Sequence, residues 1–334
     1  MFERLTLHIG HNKTGTTSLQ ETLRLSAPHL AAHGVFYWDG AGNHKAIARH
    51  FGGEDGAEGF AAFMAAARRS NARHALVSAE TLVRLDDEAA ARLVAAMGEI
   101  AATVDVLLYV RHPVGFASSA AQQAVRAGVS LRRLTANPPL VPFAELIPRW
   151  RRAVGARPGT AGGASDNVMV RPFERAALAG GDVVTDALTV LGFADAVAGL
   201  TRVEANTGLS ALAVHLIDAA LTDRERRAGL SQATMGAYGG IGGPAYVLPA
   251  EALERVRTLS APHLAFLAQQ CGIHLTEPAA VPTPPPALSP EELTSLGRVL
   301  LSAVQNQHRA ATARPAPGLV ARARRLAKSL RARG

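Results

Sequence analysis

The run of residues 103–110 limits the possible folds of this chain more than any other segment. Its sequence, TVDVLLYV, is apolar almost throughout, which is typical of a strand covered on both faces of a parallel sheet. Shorter β-prone runs lie at residues 5–9, 72–77 and 167–171. Ala- and Leu-rich stretches with helical spacing separate these runs, and strands that alternate with helices predict an α/β fold with right-handed crossovers.

The predicted helices and a proline-rich stretch divide the chain into parts. Residues 276–290 are rich in proline, which predicts a stiff, extended linker. We therefore predict an α/β domain over residues 1–275, this linker, and a helical, basic tail over residues 291–334. The helices are predicted at residues 16–25, 88–100, 114–128, 143–154, 209–227, 250–271 and 291–311.

The positive charge of the chain is concentrated near its end. The formal net charge is +8, and residues 295–334 hold nine basic and no acidic residues, so residues 1–294 carry a net charge of −1. A nucleic-acid-binding protein is expected to spread basic residues over its folded face, and this distribution argues against that class. The tail is compatible with an amphipathic helix on an anionic membrane surface, a solvated terminus, or a segment that binds a polyanionic sugar.

Composition excludes several further classes of protein. The single cysteine, Cys271, excludes an internal disulfide framework and a zinc site built from cysteines. No run approaches the roughly 20 apolar residues that a membrane-spanning helix needs, and residues 1–4 do not open a secretory signal. We therefore expect a cytoplasmic protein whose tail is its candidate contact with the inner face of the membrane.

The first segment with chemical character is residues 8–20, HIGHNKTGTTSLQ. A predicted strand leads into a glycine turn, and the turn opens a helix rich in hydroxyl groups. Backbone N–H groups at such a helix start favour an anion, and Lys13 is one of only three lysines in the chain. An ordinary helix start capped by Thr or Ser is the competing interpretation. The candidate anion ligands are Lys13, Thr14, Gly15, Thr16, Thr17 and Ser18.

The order of residues in this segment differs from that of the nucleotide triphosphate loop. That loop needs a glycine, four residues and then Gly-Lys-Ser/Thr. Here Lys13 precedes Gly15, and no Gly-Lys pair occurs in the chain. The sequence therefore disfavours an ATPase or GTPase with its magnesium ion.

The second segment begins where the run 103–110 ends. Arg111 follows this predicted strand directly, and ligands of α/β sheets bind beyond the carboxyl ends of strands. Ser119 lies eight residues further on, on a predicted helix. An arginine fork and a hydroxyl so placed can hold one phosphate. Pairing of Arg111 with a surface carboxylate is the alternative.

Together, the two segments resemble the sulfotransferase superfamily that uses 3′-phosphoadenosine 5′-phosphosulfate (PAPS). Residues 13–18 resemble its 5′-phosphosulfate loop, and Arg111-His-Pro with Ser119 resembles its 3′-phosphate motif. The phrases VRPFE at 170–174 and GGD at 180–182 are similar to bacterial members related to Golgi-type carbohydrate sulfotransferases. The resemblance covers about residues 4–275.

The resemblance implies a fold and a reaction. The fold would be a P-loop-NTPase-like parallel sheet flanked by helices. PAPS would donate a sulfuryl group to a hydroxyl or amine of a carbohydrate or lipid-linked acceptor, with no metal required. The family often has a basic Arg/Lys-Gly-x-x-Gly segment late in the chain, whereas residues 235–243 hold no basic residue. Arg171 could supply the missing charge, with pairing to Glu174 as the alternative.

The transfer also needs a general base, because the acceptor must lose a proton. His44, in a polar turn, and Glu80, after a predicted strand, are the two main candidates. His44 could instead be a solvated histidine, and Glu80 could cap the following helix. Two other functions stay open: a P-loop-like phosphotransferase or nucleotide kinase, and a non-catalytic nucleotide-fold protein recruited to polyanions by its tail.

Overall fold

A computed structural model gives the conformation of most of the chain. It describes residues 1–40, 44–155, 167–203, 208–222, 238–282 and 287–312. The basic segment 313–334, the loop 159–165 and residues 235–237 of the late glycine-rich stretch lie outside the described residues.

Five strands of the described residues form one sheet, and all of them run parallel. Their order across the sheet is β2-β3-β1-β4-β5. This result confirms the predicted α/β class with a parallel sheet. The strands are β1 (Phe2–His8), β2 (Val35–Tyr37), β3 (His74–Ser78), β4 (Ala101–Val110) and β5 (Val168–Pro172).

Helices connect these strands and flank the sheet. They are α1 (Thr16–Leu25), α2 (Ala27–Ala32), α3 (Lys45–Phe51), α4 (Ala57–Arg69), α5 (Asp87–Met97), α6 (Pro113–Arg126), α7 (Leu131–Ala136), α8 (Phe143–Gly155), α9 (Val183–Val190), α10 (Ala211–Ala220), α11 (Ala250–Cys271) and α12 (Pro290–Thr312). Short 3₁₀ segments lie at Glu80–Arg84, Ala179–Gly181 and Ala194–Gly199.

The apolar run predicted as a doubly covered strand is β4. Its side chains alternate between two cores: Val106 and Leu108 join one core, and Leu107 and Tyr109 join the other. Helices α5 and α8 supply side chains to the first core, and α1 and α9 supply them to the second. Both faces of the sheet are therefore covered, as the unbroken apolar pattern predicted.

Six of the described helices and strands were not predicted, and one prediction is shortened; the six are β2, α2, α3, α4, α7 and α9. Strand β2 has only three residues, which is too short to show a period of two. Helix α4 buries Phe63, Met64 and Ala67 on one face, and this helical spacing was a signal that the sequence analysis missed. The predicted helix 209–227 is α10 in the described residues, which stop at 222 in this region.

The order of the strands puts a topological switch point between β1 and β4. The chain leaves β1 toward β2 on one side of the sheet, and it leaves β4 toward β5 on the other. Ligands bind outside the carboxyl ends of neighbouring strands whose connections diverge in this way. Both segments singled out in the sequence follow these two strands.

The chain divides into two compact units. The first comprises Met1–Ala120, Asn137–Thr207 and Ala250–Val281, and it contains the whole sheet. The second comprises Ala121–Ala136, Gly208–Pro249 and Pro282–Gly334. Within the second unit α10 packs against α12.

The close approach of α10 and α12 depends on a glycine. A Cβ atom at Gly297 of α12 would lie 2.6 Å from the carbonyl oxygen of Leu216 in α10. In the same unit, the hydroxyl of Tyr238 donates a hydrogen bond to the carbonyl oxygen of Gly297 (3.1 Å). None of the helices in the described part of the chain has both the length and the apolar character that crossing a membrane requires.

Candidate functional site

The loop between β1 and α1 has an unusual backbone. Gly10, Lys13 and Gly15 all adopt the left-handed conformation, with φ values of 52°, 69° and 73°. Glycine adopts this conformation readily, but a lysine there is uncommon and costs energy. Strained residues of this kind cluster at ligand-binding sites, so the backbone of Lys13 is a first indication of function.

Gly15 is required at its position for steric reasons as well. A Cβ atom there would lie 2.8 Å from Cγ1 of Val183 and 3.2 Å from Cε2 of Phe173. Both contacts are closer than a carbon atom can be placed without a shift of its neighbours. The start of α1 therefore packs directly against α9 and the residue that follows β5.

The N-terminus of α1 has no capping side chain, unlike those of α5 and α9. Helices α5 and α9 begin after Asp86 and Asp182, whose carboxylates accept backbone N–H bonds from the first turn. Helix α1 begins after Gly15, which has no side chain to act as a cap, and its first turn has no acidic residue. The positive end of the helix dipole and the N–H groups of its first turn thus form a favourable environment for an anion.

Thr14 does not face this site, although the sequence predicted it as an anion ligand. Its side chain is fully buried, and its hydroxyl donates a hydrogen bond to the carbonyl oxygen of His11 (2.5 Å). The His11 ring is itself buried 4.4 Å from the ring of Phe116, and burial lowers the pKa of His11 to about 4. Thr14 and His11 therefore stabilise the conformation of the loop from its buried side.

Arg111 connects the two predicted segments. It follows β4 directly, and its Nη1 atom donates hydrogen bonds to the carbonyl oxygen of Lys13 (3.1 Å) and to Oγ of Ser119 (3.5 Å, a long bond). Lys13, Arg111 and Ser119 thus lie together at the carboxyl ends of β1 and β4. The sequence predicted Arg111 and Ser119 as one pair and Lys13 in a separate segment, and the sheet order brings the two segments together.

The charge of Arg111 is not neutralised by a carboxylate among the described residues. The side chain is half-buried, and both of its hydrogen-bond acceptors are neutral oxygens. Burial lowers the pKa of Arg111 without a compensating carboxylate. A partly desolvated guanidinium is costly unless an anion joins it. The predicted alternative, a surface ion pair, is not found in this part of the chain.

Glu80 lies next to the same loop. It begins the 3₁₀ segment that follows β3, and its Oε2 atom accepts a hydrogen bond from the hydroxyl of Thr16 (3.0 Å). The N-cap of that segment is Ala79 and the N-cap of the following helix, α5, is Asp86, which argues against the predicted alternative that Glu80 is a helix cap. A carboxylate is therefore fixed at the first turn of α1, within reach of a ligand held there.

His44 is neither solvated nor directed at the loop. It is 1% exposed, its Nδ1 atom accepts the backbone N–H of Ser78 (2.8 Å), and its Nε2–H donates to the carbonyl oxygen of Trp38 (2.8 Å). These partners fix the neutral tautomer, because an N–H can only donate and a carbonyl can only accept. Burial lowers the pKa of His44 to about 4. Both ring nitrogens are thus used to join the ends of β2 and β3. The histidine predicted as a candidate general base, with a solvated side chain as the alternative, is buried and has a structural role here.

Arg171 is committed to a different partner from the one predicted. Its Nε and Nη2 atoms donate to both carboxylate oxygens of Asp186 at 2.7 Å each. Glu174, the predicted partner, instead accepts the backbone N–H of Thr276 (2.6 Å). The alternative pairing with Glu174 was therefore wrong, because Asp186 on α9 faces β5, and no local sequence pattern indicates that contact.

The structure adds two residues that sequence reasoning missed. A Cβ atom at Gly115 would lie 3.2 Å from Nε of Arg111 and 3.2 Å from Cγ of Pro278. Pro278 belongs to the segment predicted as linker, and more than 160 positions separate it from Gly115. No local pattern could have indicated this contact.

Comparisons with known proteins leave the geometry as the basis of any assignment. No protein-family model matches the chain, and searches of curated proteins and of solved structures gave no match. Within the described ranges, no group of three or more His, Cys, Asp or Glu side chains is arranged to hold a metal ion. The function must therefore be argued from Lys13, Arg111, Ser119 and Glu80.

Proposed function

We propose that the chain is a PAPS-dependent sulfotransferase with a P-loop-like fold, acting on a hydroxyl or amine of a carbohydrate or lipid-linked acceptor. The observation that carries the proposal is the half-buried guanidinium of Arg111, which has only neutral partners in the described structure and bonds to the carbonyl of Lys13. Arg111 thus contacts the loop that carries Lys13 through the Lys13 backbone, and two anion-binding elements so placed favour one ligand that has phosphate groups at two places.

Each end of such a ligand has a group of matching chemistry. Lys13 and the first turn of α1 would hold the 5′-phosphosulfate, and the negative charge that develops on the leaving phosphate is stabilised most strongly there. Arg111 and Ser119 would hold the 3′-phosphate, the first through its planar fork and the second through its hydroxyl. The sequence of strand, left-handed loop and uncapped helix supports a P-loop-like assignment.

Glu80 is the residue best placed to act as the general base. The acceptor oxygen or nitrogen forms a bond to sulfur while the bond from sulfur to the phosphate oxygen breaks, and that oxygen keeps the electron pair. The proton lost by the acceptor passes to the carboxylate of Glu80, which lies beside Thr16 at the start of α1. His44 is better assigned to positioning, since both of its nitrogens already have backbone partners.

One contact favours a second candidate, a phosphotransferase. In nucleotide triphosphate enzymes of the P-loop class, a hydroxyl at the start of the helix and a carboxylate from a neighbouring strand hold magnesium. Thr16 and Glu80 form such a pair, with 3.0 Å between their oxygen atoms. The position of Lys13 before Gly15 opposes this function, because the phosphotransferase loop has its lysine after the glycine.

Ligand-induced stabilisation separates the two candidates. Adenosine 3′,5′-bisphosphate at 100 times its Kd should raise the free energy of unfolding by about 2.7 kcal/mol, and Arg111→Ala should remove most of that gain. Lys13→Ala should abolish the transfer of labelled sulfate from PAPS. Stabilisation by ATP with magnesium and none by the bisphosphate would overturn the proposal in favour of a phosphotransferase.

A matched arginine provides the control. Arg73 is exposed and pairs with Glu3 through two hydrogen bonds at the opposite, amino-terminal edge of the sheet. Arg73→Ala removes the same charge from the chain but leaves the residues around Lys13 and Arg111 intact. The bisphosphate should stabilise this variant as strongly as the unmodified chain. An equal loss in Arg73→Ala and Arg111→Ala would show a nonspecific effect of charge.

A further inference from the structure

Gly115 lies one helical turn after Arg111, in the first turn of α6. Its backbone is not left-handed, so its conformation does not demand a glycine. The surrounding space does: a Cβ atom there would lie 3.2 Å from Nε of Arg111, 3.4 Å from Nη2 of Arg111 and 3.2 Å from Cγ of Pro278. The guanidinium and the proline ring therefore flank the one position that a side chain at residue 115 would occupy.

Pro278 is held in place by the two residues before it. The backbone N–H of Thr276 donates to Glu174 (2.6 Å), which follows β5. The carboxylate of Glu277 accepts hydrogen bonds from Arg257 of α11, with Nε and Nη2 both at 2.9 Å. We call residues 276–278 the strap. It is anchored on both sides and brings its last residue against the start of α6.

We propose that Gly115 and Pro278 are positioning residues that form a slot for the Arg111 side chain and fix the direction of its N–H donors. Both hydrogen bonds of Arg111 in the described structure use Nη1, which leaves the donors of Nε and Nη2 for an anion. The slot does not depend on the reaction, but the identity of the anion, a nucleotide phosphate, rests on the proposed function.

The physical basis is the loss of side-chain freedom. An arginine that is already oriented loses less conformational entropy when it binds, and two parallel N–H bonds to a phosphate require a set direction of the guanidinium plane. A methyl group at residue 115 would push the guanidinium or the proline ring aside by a few tenths of an ångström. A larger side chain would push further, so the effect on binding should be graded.

Substitution of Gly115 separates binding from stability. Gly115→Val should raise the Kd for adenosine 3′,5′-bisphosphate about tenfold, which corresponds to one charge-assisted hydrogen bond. Gly115→Ala should raise it by a smaller factor while the melting temperature is kept or raised, because alanine favours a helix more than glycine does. Gly155→Ala is the control: Gly155 ends α8, no atom of the described residues lies within 4 Å of its Cβ position, and the Kd of this variant should not change.

A double substitution tests whether Pro278 forms the other side of the slot. Pro278→Gly alone should weaken binding, because one wall is lost. In Gly115→Ala combined with Pro278→Gly, the new methyl group finds space, and the Kd should be lower than the product of the two single effects predicts. Strictly multiplicative effects, or an unchanged Kd in Gly115→Val, would overturn the slot.

Failure of the proposed function would be seen separately, as an absence of bisphosphate binding by the unmodified chain. The slot is then tested with inorganic pyrophosphate as the probe. A tenfold weaker binding of pyrophosphate by Gly115→Val than by Gly155→Ala supports the slot. Equal binding by these two variants, or no binding of pyrophosphate by the unmodified chain, overturns it.

Discussion

Two arginines at the ends of neighbouring strands differ in how their charge is neutralised. Arg171, in β5, donates two hydrogen bonds to Asp186, which is completely buried and also accepts the hydroxyl of Tyr109 (2.6 Å). Arg111, immediately after β4, bonds to a carbonyl and a hydroxyl and has no carboxylate partner in the described residues. Loss of one partner from a buried pair leaves the other charge unpaired and destabilises the fold, whereas a charge without an internal partner is available to a ligand.

The largest effect in this comparison should come from Asp186→Ala. The substitution leaves Arg171 without its counter-charge and the Tyr109 hydroxyl without its acceptor. We expect a loss of about 3 kcal/mol in the free energy of unfolding, at the low end for a buried pair because the Arg171 side chain is 30% exposed. Urea denaturation measures this loss.

The control for Asp186 is an exposed pair. Glu99→Gln breaks the contact with Arg68, in which both side chains are well exposed, and should leave the free energy of unfolding nearly unchanged. If Asp186→Ala had an effect no larger than this control, the distinction between the two arginines would lose its energetic basis.

The next largest effect is the loss of stability at acidic pH. Burial lowers the pKa of His8, His11 and His44 to about 4, below the unfolded value of about 6.5. Between these two values the unfolded chain binds more protons than the folded one. Stability should therefore fall as the pH is lowered from 6.5 to 4, with a slope of up to about 1.4 kcal/mol per pH unit for each histidine.

The contribution of the histidines to the pH dependence of stability should be separable from that of the Arg171–Asp186 pair. Burial acts to raise the pKa of Asp186, but hydrogen bonds from Arg171 and Tyr109 hold it below the ordinary value. Its contribution is thus lost only at lower pH than that of the histidines. Between pH 4 and 7, the free energy of unfolding of His44→Gln should depend less steeply on pH than that of the unmodified chain. For Asp186→Ala this pH dependence should be unchanged. Denaturation curves recorded at several pH values measure both. The reverse result would contradict this assignment.

The smallest effect on stability should come from Arg111→Met. Because no carboxylate in the described structure depends on Arg111, its removal should change the free energy of unfolding by less than about 1 kcal/mol, in either direction. The methylene stem is kept as an apolar side chain. Thermal unfolding without ligand measures the change, and a loss as large as that of Asp186→Ala would place Arg111 among the structural arginines.

The sequence predicted the elements whose information is local. Strand β4 was evident from its apolar run, α11 has the bounds that its helical periodicity predicted, and the turn before α1 was evident from its glycines. The same local patterns located Lys13, Arg111 and Glu80 at the ends of strands. Because all strands run parallel, these three residues then lie at the same, carboxyl-terminal end of the sheet.

Contacts between distant positions could not be predicted in this way. The partner of Arg171 lies on α9, the partners of His44 lie at Trp38 and Ser78, and Gly115 meets Pro278. Such contacts depend on how helices pack on the sheet, which hydrophobic periodicity does not specify. The contacts of Arg171 and His44 also decide whether these two residues have a structural or a functional role.

The second unit is built from segments that lie far apart in the sequence, and this affects its folding during synthesis. Helix α12 is the last described element, yet it packs against α10, and the two approach closely at Gly297. About 70 residues must leave the ribosome between these helices, so α10 waits several seconds for its partner at ordinary elongation rates. During that interval the face of α10 that α12 later covers is exposed to solvent. We therefore expect chaperones to bind the nascent second unit.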